Sequence, residues 1–338
     1  MLYAKNQTGA LVVATDAYKN EKYFCPSCLG PVIVKQGNLK AAHYAHHSHS
    51  CHAFSEGETA EHLKGKKLLA NWCAQLNWQV QIEAYQIDLR QRPDVLGIHD
   101  GKRVAFEFQC APLSAAEMQR RSSGYLKDGF SYLWVLGRRH YLKHRLTQQI
   151  AQFIRWHHNL GFYLIFLDTV YERFEVLYGI QMADLLPVKY MRFFARNLQQ
   201  LTAFLHTDHY IRFFGVTQNE RLKQKQSLLY KCRACDQQIY QAQEACYVNK
   251  ISFATAAAQS IQTCYYPPVF RKPAFIWKVR ALANCTSQKM LRQLAPSQIL
   301  GTADLFLMPF IDISKVCLLE WERFVNQLEN FAFHKNDG

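Results

Sequence analysis

The stretch from Arg92 to Gln109 constrains this chain more than any other. Asp100-Gly101 is a residue pair favoured in type I′ hairpin turns, and apolar-rich runs flank it on both sides. Taking that pair as the turn predicts that residues whose numbers sum to 201 face each other. Asp94 then lies across from Glu107, with Cβ atoms about 5 Å apart. Gln109 shares the face of Glu107, whereas Val104, Phe106 and Phe108 point the other way, toward a core. Two carboxylates this close repel each other. A divalent cation removes that cost, and hard oxygen donors from one Asp and one Glu suit Mg²⁺ or Mn²⁺.

The order Pro93-Asp94, a short gap, then Glu107-Phe108-Gln109 resembles the PD-(D/E)xK nuclease superfamily. The third position there is usually lysine, and Gln109 replaces it. The flanks narrow the match. Cys25-Pro26-Ser27-Cys28, then His43-Tyr44-Ala45-His46, then Glu61-His62 with Lys66 on a helix resemble the competence protein CoiA family over about residues 20–140. The resemblance implies an α/β fold: a PD-(D/E)xK (restriction-endonuclease-like) core with an N-terminal zinc-binding unit, followed here by a mainly helical C-terminal region. It implies a Mg²⁺- or Mn²⁺-dependent deoxyribonuclease that handles incoming single-stranded DNA in natural transformation, in company with recombination proteins. It further implies a metal-ligating carboxylate on the helix before the sheet, Glu61 first and Glu58 second. Arg121 and Tyr125, on the helix after the hairpin, resemble substrate-facing residues of the family.

The length of 338 residues allows two or three domains, and composition shifts divide the chain at 1–55, 56–186 and 187–338. A hydrophobic content of 49% marks a folded chain. No apolar run reaches the roughly 18–20 residues of a membrane span, and the N-terminus shows no signal-peptide core, so a cytoplasmic protein is expected. Its 11 cysteines then read as thiols or metal ligands rather than disulfides. The net charge of +14 beside an acidic metal site suits a polyanion such as DNA.

Cys25-x-x-Cys28 followed by a glycine is zinc-knuckle spacing. The preferred structural zinc set is Cys25, Cys28, His46 and Cys51, with His43 as the alternate; two buried thiols beside a polar His-rich loop are the plain alternative. A helix is expected from about Glu58 to Leu76, with Ser55 and Glu58 at capping-box spacing. His62, Lys66, Leu69, Cys73 and Leu76 form one stripe. That stripe turns His62 and Lys66 toward Asp94 and Glu107, as a phosphate-binding pair or with Lys66 supplying the charge that Gln109 lacks. Glu58 and Glu61 otherwise only complement the helix dipole.

Trp78–Ala84 reads as the first core strand, Ser114–Lys127 as a helix boxed by Glu117, and Phe130–Leu136 as a buried strand. The resulting order is helix–strand–strand–strand–helix–strand. Beyond it the sequence predicts a basic helix over Tyr141–Trp156, strands over Gly161–Leu167 and Tyr171–Tyr178, and helix over Met191–Lys231. Phe193, Phe194, Phe204, Phe213 and Phe214 are expected in the core. A second Cys-x-x-Cys, Cys232 and Cys235, has Cys246, Cys264 and Cys285 as candidate partners, with buried thiols the default reading. Helices over Ala281–Leu294 and Val316–Phe331 complete the chain.

These readings converge on a metal-dependent DNA nuclease with Asp94, Glu107, Gln109, Glu61, His62 and Lys66 as its catalytic group. The rivals are a recombination mediator with a weak or dead acidic site, and a zinc-ribbon regulator that uses the fold to bind a protein.

Overall fold

The computed structural model describes residues 3–26, 29–37, 42–46, 59–86, 88–261, 263–285 and 303–328. The chain divides into two compact units, the first made of residues 1–141, 165–176 and 194–206, the second of 142–164, 177–193 and 207–338.

The first unit opens with a small sheet of five strands: β1 (Tyr3–Lys5), β2 (Leu11–Val13), β3 (Tyr23–Phe24), β4 (Pro31–Lys35) and β5 (His43–His46), in the order β2-β1-β3-β4-β5. Its core is Ala4, Ala14, Tyr23, Cys25, Val32 and Tyr44.

Helix α1 (Ala60–Gln75) follows. The side chain of its N-cap, Thr59, accepts the His62 N–H, so the helix starts one turn later than the Ser55 signal suggests; Ser55 and Glu58 lie outside the described residues. Lys66, Leu69 and Cys73 of the expected stripe are buried, together with Gly65. A side chain at Gly65 would collide with the Phe108 ring, since an added Cβ would lie 2.0 Å from it. Gly65 thus lets α1 settle directly on the sheet. Gly65→Ala should lower unfolding free energy by about 1–3 kcal/mol, read by urea denaturation, and an unchanged midpoint would show that Phe108 swings aside freely.

The hairpin forms as the sequence predicts. After β6 (Gln79–Ile82), β7 (Val95–His99) pairs antiparallel with β8 (Lys102–Gln109) in the register Val95↔Phe106 to His99↔Lys102. Asp100 and Gly101 both take positive φ, 48° and 73°, as a type I′ turn requires. Helix α2 (Ala115–Lys127) is capped by Ser114, which accepts the Glu117 N–H. The capping box is only half formed, because the Glu117 carboxylate pairs with Arg120 instead. α2 carries the chain over to β9 (Ser131–Leu136), which runs parallel to β8 with Glu107 opposite Trp134. The expected order of six core elements is therefore observed.

Past β9 the reading is less faithful. Tyr141–Trp156 is not one helix: a 3₁₀ turn (Arg138–His140) precedes it, and a single-turn α3 (Gln148–Ala151) and the start of β10 (Arg155–His157) lie within it. Leu142, Leu146 and Ile150 are buried at helical spacing. Yet the Leu142 and His144 carbonyls accept from Tyr190 and Val188 rather than from the following turn. Strands β11 (Gly161–Asp168) and β12 (Arg173–Gln181) match expectation, and β13 (Lys189–Ala195) replaces the start of the expected helix. The larger sheet has the order β13-β12-β11-β9-β8-β7-β6, with β10 on β11. β11 runs parallel to β9.

Helices α4 (Leu198–His206), α5 (Gln218–Arg233), α6 (Gln237–Val248), α7 (Phe253–Ser260), α8 (Ala274–Ala283) and α9 (Ile313–Gln327) account for most of the remaining described residues. Of the five phenylalanines expected in the core, Phe204 is buried, but Phe194 and Phe213 are exposed. In the second unit, Trp277, Trp321 and Phe324 pack ring against ring around Lys278. Cys264 accepts a hydrogen bond from Arg323, Cys235 is exposed, and Cys246 and Cys285 are buried. Among the described residues no metal-holding group forms at the second cysteine pair.

Candidate active site

Asp94 immediately precedes β7, so continuing the observed register by one residue sets it across from Glu107. Three elements then fix the two carboxylates. The Phe108 N–H donates to Asp94 Oδ2 at 2.8 Å, and His62 Nε2 from the first turns of α1 lies 3.2 Å from the same oxygen. Asp94 Oδ1 accepts no hydrogen bond among the described residues. Glu107 is 1% exposed, and α2 supplies both its partners: the Tyr125 hydroxyl donates to Oε1 and the Arg121 guanidinium to Oε2. Arg121 and Tyr125 lie four residues apart on one helix face, which is why both reach the same carboxylate. The Trp134 N–H donates to Ser122 Oγ at 2.9 Å, which joins that face to β9.

These surroundings drive the two acids apart. Burial pushes Glu107 up to about 7, with Arg121 opposing the push and Asp94 adding to it. Burial also opposes the ionised form of Asp94, but His62, Lys66 and Arg121 outweigh it and hold this carboxyl well below the usual range. Burial likewise disfavours the charged Arg121, yet Glu107, Tyr125 and Asp94 keep it cationic. Asp94 is therefore a fixed anion, while Glu107 exchanges its proton near neutrality; such a split pair can carry distinct roles in acid–base chemistry.

The other expected members are distributed differently. Lys66 is fully buried and forms an ion pair with Glu83, whose other oxygen lies 3.3 Å from Arg92. The Glu83 N–H donates to the Asp94 carbonyl, so this buried triad braces the backbone of the acidic residue. Gln109 donates its amide to the Ala111 carbonyl rather than to either acid. Glu61 accepts the Arg138 N–H at 2.7 Å. Arg121 and Tyr125, expected to face substrate, are both bonded to Glu107. Sequence reasoning missed Glu83 and Arg92; the signals were a charge where an alternating strand ends, and an arginine just before Pro93.

The donor set suits a hard divalent ion. Asp94 Oδ1 is open, and each Glu107 oxygen accepts one hydrogen bond and retains a second lone pair. Two carboxylates are enough for Mg²⁺, which keeps several waters and substrate phosphate oxygens as its remaining ligands. Among the described residues no group of three His, Cys, Asp or Glu assembles around an ion.

In the small sheet, Cys25 directly follows β3, and its N–H and carbonyl close a tight loop with Gly30 and Leu29. His46 pairs with Val32 at the same end of the sheet, whereas His43 pairs with Lys35 at the far end. That register favours His46 over His43 as a companion to Cys25. Cys28 and Cys51 lie outside the described residues.

Tyr125→Phe tests the electrostatics directly. It removes a donor to the ionised form of Glu107, so the acid limb of any Glu107-dependent activity should move upward by about one pH unit. An unmoved limb would assign it to another group.

Comparison with known proteins bears on the same segments. The family model described as competence protein CoiA, nuclease-like domain, matches residues 58–209, and that described as competence protein CoiA, N-terminal domain, matches residues 12–54. A curated relative, Competence protein CoiA of Bacillus subtilis (strain 168), is 36% identical over 120 residues. The shared stretch covers 35% of this chain and only 32% of that relative. No solved structure matches. Among the described residues no helix is long and apolar enough to cross a membrane.

Proposed function

Because the chain belongs to the competence protein CoiA family and carries its nuclease-like domain, we propose that it is a metal-dependent deoxyribonuclease centred on Asp94 and Glu107. The observation that carries this reading is geometric: Asp94 and Glu107 face each other across the β7–β8 hairpin, and among the described residues Asp94 Oδ1 accepts no hydrogen bond. The element order and the parallel β8–α2–β9 crossover support a PD-(D/E)xK core.

Asp94 and Glu107 would hold Mg²⁺ or Mn²⁺; such an ion activates a water and stabilises the leaving oxygen of a phosphodiester. Asp94 supplies permanent negative charge, and His62 fixes its Oδ2. Glu107 must lose its proton to act, and Arg121 and Tyr125 are its positioning residues. Lys66 acts at one remove, through the field it places on Asp94. The substrate is DNA, single-stranded as in the uptake of transforming DNA, with recombination proteins as downstream partners. Residues 1–55 form a zinc unit held by Cys25, Cys28, His46 and Cys51, residues 56–186 the nuclease, and 187–338 a basic C-terminal region.

A second reading has its own observation. Both Glu107 oxygens are engaged by the protein's own donors, and Gln109 lends no charge, as expected of a site that binds DNA without cutting it. Labelled single- and double-stranded DNA incubated with Mn²⁺, Mg²⁺ or EDTA separates the two. Cutting that needs metal supports the nuclease. Binding without cutting under all three conditions overturns it in favour of a recombination mediator.

A further inference from the structure

A cavity of about 640 Å³ opens in the first unit. Its walls are the first turns of α1, Arg138 and Tyr141 after β9, and the turn between β11 and β12. β8, β9 and β11 run parallel, and Glu107 near the end of β8, Arg138 just past β9 and Asp168 at the end of β11 all lie toward their carboxyl ends. That edge is where open α/β sheets receive ligands. Two strand spacings, about 10 Å, separate β8 from β11. The cavity and the acidic pair therefore lie along one edge, and a polymer engaged at one reaches the other.

The chemistry of the walls is specific. Both acids in the lining accept backbone donors: Glu61 the Arg138 N–H, and Asp168 the Val170 and Tyr171 N–H groups at 2.9 and 3.1 Å. Lys64 is paired with Glu172. Arg138 and its neighbour Arg139 are exposed, and among the described residues neither guanidinium has a partner. The Asp168 turn presents Tyr171 to solvent, 70% exposed, with the Arg173 guanidinium 5.0 Å from its ring centroid. Behind it Tyr141 stacks on Phe166 at 5.1 Å, giving the cavity a flat aromatic wall. Unpartnered cations next to an exposed aromatic ring are the elements of single-strand recognition: arginine for the backbone, a ring face for a base.

We propose that this cavity is a nucleotide subsite, in which Arg138 takes a backbone phosphate and Tyr171 stacks a base of the strand whose neighbouring phosphodiester lies at Asp94 and Glu107. The occupant is an unpaired segment of polynucleotide, because a base inside a duplex has no face to offer Tyr171. Stacking of this kind tolerates any base sequence. The inference rests on the reading of Asp94 and Glu107 as the centre of a DNA-directed site, but not on turnover there.

The test is fluorescence titration of the full chain, in EDTA, with an oligothymidylate carrying one 2-aminopurine. Wild type should change the probe's fluorescence on binding. Tyr171→Ala should lose that signal and bind about tenfold more weakly. Arg138→Ala should keep the signal but show a shallower salt dependence, by about 0.7 in the logarithmic slope for one lost phosphate contact. Tyr247→Ala, which removes a still more exposed ring from the second unit, is the control and should behave as wild type. Wild-type signal and affinity in Tyr171→Ala would overturn the subsite, even if the protein cuts DNA. A Tyr171-dependent signal in a protein that cuts nothing would uphold the subsite while the nuclease reading falls.

Discussion

Glu107→Ala should cut DNA at least about a hundredfold more slowly than wild type in Mg²⁺ or Mn²⁺, with DNA binding retained. The substitution removes the one carboxylate that β8 contributes and the group whose proton exchanges near neutrality. It also leaves the Arg121 guanidinium and the fully buried Tyr125 hydroxyl without their acceptor, so some stability is lost as well. Glu107→Gln separates the two effects. It keeps an amide oxygen for Arg121 and offers an amide N–H that the Tyr125 hydroxyl can accept, but carries no charge, and it should fold nearly as wild type while remaining inactive. Cutting by Glu107→Gln at the wild-type rate would remove Glu107 from the chemistry.

The pH dependence carries the same signature. Glu107 sits near 7 in the folded chain against about 4.3 in an unfolded one. The fold thus favours its neutral form: its contribution to stability is whole below about pH 4 and disappears as pH rises through 7. Metal binding takes the ionised form, so activity moves the other way, rising with pH as the metal displaces the Glu107 proton. Asp94, held low, has the opposite sign, with stabilisation present above about pH 4 and lost as acid protonates it. Urea midpoints at pH 5 and pH 8 should differ less in Glu107→Gln than in wild type; equal differences would place the titration elsewhere.

Lys66→Met is expected to cost the most stability of the site variants, about 3–5 kcal/mol, or roughly 10 °C in Tm. Lys66 and Glu83 are both buried, and removing the ammonium leaves the Glu83 carboxylate with Arg92 as its remaining ion-pair partner. Because the Glu83 N–H holds the Asp94 carbonyl, the damage should reach the acidic pair too. The double variant Lys66→Met/Glu83→Gln removes the buried carboxylate charge as well and should recover part of the loss. A fully stable Lys66→Met protein that no longer cuts DNA would show that Lys66 takes the part of the motif lysine, and that its pairing with Glu83 is incidental.

Local chemistry explains what could be read in advance. Asp100-Gly101 admits one turn type, that turn sets one register, and the register alone puts Asp94 across from Glu107. The caps at Ser114 and the glycine after α2 are equally local. Where local signals were shared between structures, the reading failed. Leu142, Leu146 and Ile150 have helical spacing, yet the Leu142 carbonyl accepts from the Tyr190 hydroxyl and the His144 carbonyl from the Val188 N–H. Phe194 and Phe213 looked like core because aromatic rings usually are, and only packing shows that they face water.

The sequence by itself determined the hairpin, the order of the six core elements and the identity of the facing acids, since each follows from bonds between near neighbours in the chain. Only the tertiary structure decided what those acids are. α2 folds back to set Arg121 and Tyr125 on Glu107, α1 sets His62 on Asp94, and β6 delivers Glu83 to take Lys66 away from the acids. Those contacts join residues 14–32 positions apart, across elements whose relative placement depends on packing such as Gly65 against Phe108. Burial and field at a site are sums over that packing, which is why two carboxylates that look alike in sequence are pushed in opposite directions, Asp94 down and Glu107 up.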